Sequence, residues 1–211
     1  MKPVKKAGVA DDHPVVRTAL RMLLAGAGYQ QVHEVSRGSE VMAMLREHQP
    51  DILVLDLDLP EVDGLGVLER IRSSGMQCRV VVFTSLERMF YQDRCMRAGA
   101  AAYVQKSADP EHLHKALEAV TAGYTYFEKL PTSSVSLKSM QCSEKERIDT
   151  LSDRELTIFR YLAKGMSNNA IAGIMNLSHK TVSTYKTRLV EKLNIESKVH
   201  LRDCAQRNKL I

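Results

Sequence analysis

No stretch of this 211-residue chain stays apolar over the roughly 18–20 residues that a membrane span needs. The N-terminal MKPVKK is basic, but the apolar run behind it, Ala7 to Ala10, is too short for a signal peptide. Cysteine is sparse. Cys78, Cys95, Cys142 and Cys204 have neither metal-binding nor redox spacing, which leaves free thiols in a reducing cytoplasm. What the last part of the chain lacks is acid. Residues 1–150 carry 19 Lys+Arg and 20 Asp+Glu, net −1, whereas residues 151–211 carry 11 and 5, net +6. The overall charge of +5 is therefore a C-terminal property. A small basic module behind a nearly neutral one points to a polyanionic partner.

The rest of the chain is organised around ILVLDLDLPEVDG, residues 52–64. Its apolar run reads as a buried strand of a parallel sheet, with Asp56 at the carboxyl end. Open α/β sheets bind ligands in the crevice beyond those strand ends. A carboxylate placed there is costly unless its charge is compensated. Around it, Val4–Ala10 reads as a first strand ending in Asp11-Asp12, Val32–Val35 as a second, Arg79–Thr84 as a fourth and Ala100–Val104 as a short fifth. Helical spacing fills the intervals, with Pro14 and Pro110 suited to first turns and Gly99 and Gly123 to stops. Such alternation predicts a five-stranded parallel sheet covered on both faces.

From Tyr124 to Thr150 the pattern dissolves into Ser, Thr, Lys and Glu, and we read residues 124–150 as a linker between domains at 1–123 and 151–211. Ser152 with Glu155 forms a capping-box signature. A short helix before Asn176-Leu177-Ser178 and a longer one after it, to Leu193, make a helix-turn-helix, its second helix available to the major groove of DNA.

Bringing the strand tips together gathers Asp11, Asp12 and Asp56, with the hydroxyl of Thr84 and the cation of Lys106. Three neighbouring carboxylates predict a hard divalent ion, and Mg²⁺ suits oxygen ligands. An aspartate beside such an ion can act as a nucleophile towards phosphorus.

These motifs, ADDHP (10–14), LVLDLDLPEVDG (53–64), VFTS (82–85) and GAAAYVQKS (99–107), together with the C-terminal LSDREL and KTVSTYK, give the chain its resemblance to two-component response regulators of the NarL/FixJ class. Residues 4–123 resemble the receiver domain, a flavodoxin-like fold of strand order 2-1-3-4-5, and residues 151–211 the LuxR-type helix-turn-helix. The resemblance implies that Asp56 is the phosphoacceptor. It implies that Asp11 or Asp12, with Asp56 and the backbone carbonyl of Asp58, holds Mg²⁺, Asp12 being the more direct match. Thr84 matches the hydroxyl that follows the phosphoryl group, Tyr103 the aromatic that swings inward on activation, and Lys106 the pattern's lysine. Ser107 stands where many receivers have Pro, and Ala102 where Gly is common. Asp58 adds a charge beside the site.

Two rival readings fit less well. Asp56-Leu57-Asp58 resembles the DxD of haloacid-dehalogenase phosphatases, but it lies on the third strand and has no room for a capping insertion. A flavodoxin-like FMN binder wants hydroxyls after the first strand, where this chain has acids. The expected function is a cytoplasmic transcription factor, not a dedicated enzyme, although slow self-dephosphorylation is expected. Its expected partners are a sensor histidine kinase or phosphotransfer protein, double-stranded promoter DNA, a second copy of itself and RNA polymerase. The expected DNA contacts are Lys180, Thr181, Thr184, Lys186 and Arg188, since Lys and Arg meet phosphates or guanine edges and short hydroxyls let the backbone approach. On the last helix, Val199, Leu201 and Cys204 are expected at a dimer contact. If the C-terminal helices bind protein instead of DNA, the chain is a pure signalling protein, and a mobility shift on a promoter fragment separates the two.

Overall fold

Five short apolar runs become five parallel strands in the computed structural model, which describes residues 4–128, 144–195 and 198–211. They are β1 (Lys6–Ala10), β2 (Gln31–Val35), β3 (Ile52–Leu55), β4 (Arg79–Thr84) and β5 (Ala102–Gln105), in the order β2-β1-β3-β4-β5. Between and after them run α1 (Pro14–Gly26), α2 (Gly38–His48), α3 (Gly64–Ser74), α4 (Arg88–Arg97) and α5 (Pro110–Thr121). Side chains alternate across a strand, so Ala7, Val9, Ile52, Val54, Val81, Ala102 and Val104 turn to one face. There they pack with Leu20 and Leu24 of α1 and Leu113, Leu117 and Val120 of α5. The intervening residues face the other way; a Cβ on Gly8 would meet the Met44 side chain of α2 at 2.8 Å.

Registers of Ala10 with Leu55 and of Leu55 with Val82 bring the carboxyl ends of β1 and β3 level, opposite Val82 of β4. This sets Asp11 beside Asp56, while β4 runs on past that level to end at Thr84. β3 stops at Leu55, before Asp56, although the Asp56 amide still donates to Ala10 O at 2.9 Å. β5 begins two residues later than expected. Gly99 takes φ +96° and the Ala100 amide folds back to Cys95 O, so these residues close α4 instead of extending the strand.

Chain contacts divide the molecule into units of residues 1–128 and 129–211. The second holds α6 (Glu144–Asp149), α7 (Asp153–Ala163), α8 (Asn168–Met175), α9 (His179–Leu193) and α10 (Lys198–Arg207). Ser152, Ser167 and Ser178 cap α7, α8 and α9, each accepting the backbone N–H three residues on. Asn176 ends α8 in the left-handed region at φ 51° and so makes the turn into α9.

The expected linker differs at both ends, and residues 129–143, with Cys142, lie outside those described. Tyr126 pairs with Ala102 on the outer edge of β5. α6 buries Ile148 completely, Arg147 donates to Leu193 O at 3.1 Å, and Glu144 pairs with Arg207 at 2.5 Å. The polar local composition hid this helix, because its partners lie 46 and 63 residues further along the chain. α10 is also oriented differently from expectation. Leu201 and Cys204 are buried inside their own unit, and of the three residues expected at a dimer contact Val199 alone is exposed. Burial pushes the Cys204 thiol up to about 11. Cys78, Cys95 and Cys204 are free thiols. Among the described residues no helix is long and apolar enough to cross a membrane.

Candidate functional site

The acids expected at the strand tips do meet. Asp11, Asp12, His13 and Asp56 each offer a ligand atom, all within 4.8 Å of one another. Asp11 and Asp56 are 1% and 3% exposed, whereas Asp12 is exposed. The crowding was expected to be made tolerable by a divalent ion; the protein also sets the expected lysine in direct contact with two of the acids. Lys106 Nζ, arriving from just beyond β5, lies 2.6 Å from Asp56 Oδ2 and 2.7 Å from Asp11 Oδ2. His13 Nδ1 lies 2.6 Å from Asp12 Oδ1. Burial works against the lysine's charge, but the adjoining Asp11 and Asp56 carboxylates outweigh it and hold its pKa above the ordinary value.

Backbone groups fix the carboxylates. The Asp58 amide donates to Asp56 Oδ1 at 3.1 Å, and the His13 amide to Asp11 Oδ1 at 2.9 Å. Gly64, at the start of α3, presses on the same turn. A Cβ there would lie 2.5 Å from Asp56 O and 2.6 Å from Leu57 Cα, so only glycine lets α3 start so close to the β3 tip. Asp63, the cap of α3, holds the Gly66 amide at 2.7 Å.

The donor set fits a hard cation. Three carboxylates converge, and buried Asp11 Oδ2 takes no well-angled hydrogen bond even with the Lys106 ammonium beside it. Asp58 is half-buried, with its amide turned towards Asp56. Thr84 is fully buried at the end of β4, and its Oγ1 accepts the Leu86 amide at 3.4 Å. Tyr103 is turned inward, 1% exposed, its phenol donating to Leu86 O at 2.8 Å. Burial raises the phenol's pKa well above its usual value. Thr84 and Tyr103 thus both touch Leu86. His13 was missed by sequence reasoning; its place next to two acids was the available signal.

In the second unit, Ser178, Lys180, Thr181, Thr184, Tyr185 and Arg188 line a cleft of about 360 Å³ along the N-terminal half of α9. Four of the five expected contacts meet there. Lys186 does not, because six residues at about 100° each turn it well away from Lys180. The hydroxyls are engaged locally. Thr181 Oγ1 pairs with the capping Ser178 at 2.8 Å, and Thr184 donates to Lys180 O at 3.0 Å. Exposed Lys180 and Arg188 are left as the free-ended cations of the cleft. Ser178 and Tyr185 were missed, Ser178 because it reads first as a cap. Behind this face, buried Glu155 takes Lys192 Nζ at 2.7 Å and the Ser152 amide at 2.8 Å. Burial alone would raise its pKa, but these bonds together take it below the usual value.

Comparison with known proteins bears on both units. Residues 8–118 match the response regulator receiver domain, and residues 149–205 match the luxR family of bacterial regulatory proteins. The chain is 43% identical over 205 residues to the virulence-factor transcription regulator BvgA of Bordetella pertussis, covering 97% of this chain and 98% of that one. It is 36% identical over 202 residues to the DNA-binding transcriptional activator EvgA of Escherichia coli K12, covering 96% and 98%. A solved structure of the response regulator RcsB from Salmonella typhimurium matches with a TM-score of 0.77 and 25% identity over 97% of this chain and 98% of that one.

Proposed function

This chain belongs to the response regulators that join a receiver domain to a luxR-family DNA-binding domain, and we propose that phosphorylation of Asp56 governs its occupancy of promoter DNA. The observation that carries the reading is the buried Asp56 carboxylate, held by the Asp58 amide and by Lys106 at 2.6 Å, with two more aspartates alongside. The donor is a phosphohistidine on a sensor kinase or phosphotransfer protein. An Asp56 oxygen attacks phosphorus; the O–P bond forms as the N–P bond breaks, and the departing imidazole nitrogen takes up a proton. Asp11, Asp12 and Asp56, with the Asp58 carbonyl, would hold Mg²⁺, which would supply positive charge against the phosphoryl oxygens.

The protein's own groups do the rest. Lys106 exchanges its carboxylate partners for the new dianion, which is rich in acceptor oxygens. Thr84 donates a hydrogen bond from its hydroxyl to a phosphoryl oxygen and draws on the β4–α4 turn, where Leu86 O holds the Tyr103 phenol. The result is a population shift between two arrangements, not a new fold. Slow hydrolysis of the aspartyl phosphate resets the switch, and no dedicated enzyme activity is needed.

At the output end, Lys180 and Arg188 meet DNA phosphates or base edges, with Thr181 and Thr184 letting the backbone of α9 approach. Lys186 contributes from a different side of the helix. A homodimer on paired half-sites raises affinity beyond that of one module, and contact with RNA polymerase in the cytoplasm completes the reading. Incubation with acetyl phosphate and Mg²⁺ tests the first step. Asp56→Asn should abolish acid-stable, hydroxylamine-sensitive labelling of the wild type, and full labelling of the variant refutes the assignment.

A further inference from the structure

β5 is the last strand of the sheet, so its outer edge presents backbone groups that need cover. The cover is the chain itself. After α5, the Tyr126 amide donates to Ala101 O at 2.9 Å, and the Tyr103 amide donates to Tyr126 O at 3.2 Å. Side chains from two helices then pin this segment. From α5, His112 Nδ1 lies 2.9 Å from both the Tyr126 hydroxyl and Glu128 Oε1. From α4, Arg88 pairs with the Glu128 carboxylate. Also from α4, Gln92, 4% exposed, donates to Glu128 O at 2.8 Å. Backbone pairing alone covers an edge; the five-residue stretch here also recruits Arg88, Gln92 and His112 to hold it.

Its position gives it a role. The residue whose amide holds Tyr126 is Tyr103, whose phenol is held by Leu86 O, and the Leu86 amide rests on Thr84 Oγ1. Arg88 lies two residues beyond Leu86, at the first position of α4. A pull on Thr84 therefore reaches the stretch by two routes: through β5 to Tyr126, and through the start of α4 to Glu128. We infer that Tyr124–Glu128 is a strap through which the state of the Asp56 site is passed to the chain that follows. The inference rests on the reading of Asp56 as phosphoacceptor and adds to it the element that transmits the change. A seated strap couples the two; a detached one leaves the DNA-binding unit indifferent to phosphorylation.

The full-length protein tests this, with a duplex selected from a randomised pool by wild-type protein activated with beryllofluoride and Mg²⁺. The quantity read is the ratio of DNA affinities with and without beryllofluoride. Two variants detach the strap. Tyr126→Pro removes the amide that bonds Ala101 O, and the milder Arg88→Gln with Glu128→Gln removes the ion pair at partly exposed positions. The wild type should give a ratio of roughly 5- to 150-fold, the usual range of allosteric coupling. The double variant, and Tyr126→Pro where it folds, should give a ratio near one while labelling at Asp56 by acetyl phosphate is retained. A double variant whose ratio stays within about twofold of the wild type overturns the strap alone. Loss of Asp56 labelling in the double variant also overturns it, since the segment then supports the acceptor site instead of reading it. A wild-type ratio of one overturns the phosphorylation reading and the strap with it.

Discussion

Replacing Lys106 by Met separates the two sources of positive charge at the acceptor site. The wild-type ammonium bridges Asp11 and Asp56, whose side chains are 1% and 3% exposed, and is itself 14% exposed. Breaking a buried ion pair by removing one partner costs about 3–5 kcal/mol. Because the ammonium reaches solvent at its edge, the low end applies, about 3 kcal/mol in the presence of EDTA. Binding of an ion to the native state returns stability as RT ln(1 + [L]/Kd), about 2.7 kcal/mol at a hundredfold excess over Kd. Mg²⁺ and the ammonium compete for the same carboxylates. Millimolar Mg²⁺ should therefore stabilise Lys106→Met more than it stabilises the wild type. Urea unfolding of both proteins, with EDTA and with Mg²⁺, gives the four free energies needed. The sign of the pH dependence follows from the raised pKa of Lys106. Its contribution is complete below the unfolded value near 10.4 and is lost as pH rises through the higher folded value. The stability gap between the two proteins should hold through neutral pH and close only in strong alkali. Equal stability in EDTA, or equal gain from Mg²⁺, refutes the idea that lysine and metal share one job.

The remaining predictions concern the second unit. Arg188→Ala and Lys180→Ala should each lower the slope of log affinity against log salt by about 0.9 if each side chain neutralises one phosphate. Lys186→Ala, off the cleft, should lower it less; titrations across a salt series decide, and a larger effect from Lys186 contradicts the cleft as the contact surface. Glu155→Gln should cost about 1.5–3 kcal/mol at neutral pH through the lost charge on the Lys192 and Ser152 bonds. Glu155 has a depressed folded pKa, so its contribution is present above the unfolded value of about 4.3 and fades as pH falls through the folded one. Thermal unfolding of the two proteins should therefore converge under acid, and a gap that persists at low pH argues that packing, not charge, is what Glu155 provides.

Much of this protein could be read without coordinates because its signals are local. A strand buried on both faces is an uninterrupted apolar run, so the residue that ends it, Asp11, Asp56 or Thr84, marks a strand tip. Parallel strands put their tips on one edge, which is why residues 45 positions apart in the chain, such as Asp11 and Asp56, could be placed together. Ser152, Ser167 and Ser178 announce their helices because a cap acts within three residues. Tertiary structure decided what depends on reach between distant segments. Lys106 reaches across to Asp11 and Asp56, so the protein itself supplies part of the compensation first assigned to a metal. Leu201 and Cys204 turn inward, although an apolar helical stripe reads the same whether its partner is its own unit or another copy. Tyr126 lies on β5 and Ile148 under its own unit, in stretches whose polar composition suggested a tether. Periodicity and capping are written in neighbouring residues; which ion pair closes, which face is covered and what edge a loose segment seals are settled only when the folded chain brings the partners within a few ångströms.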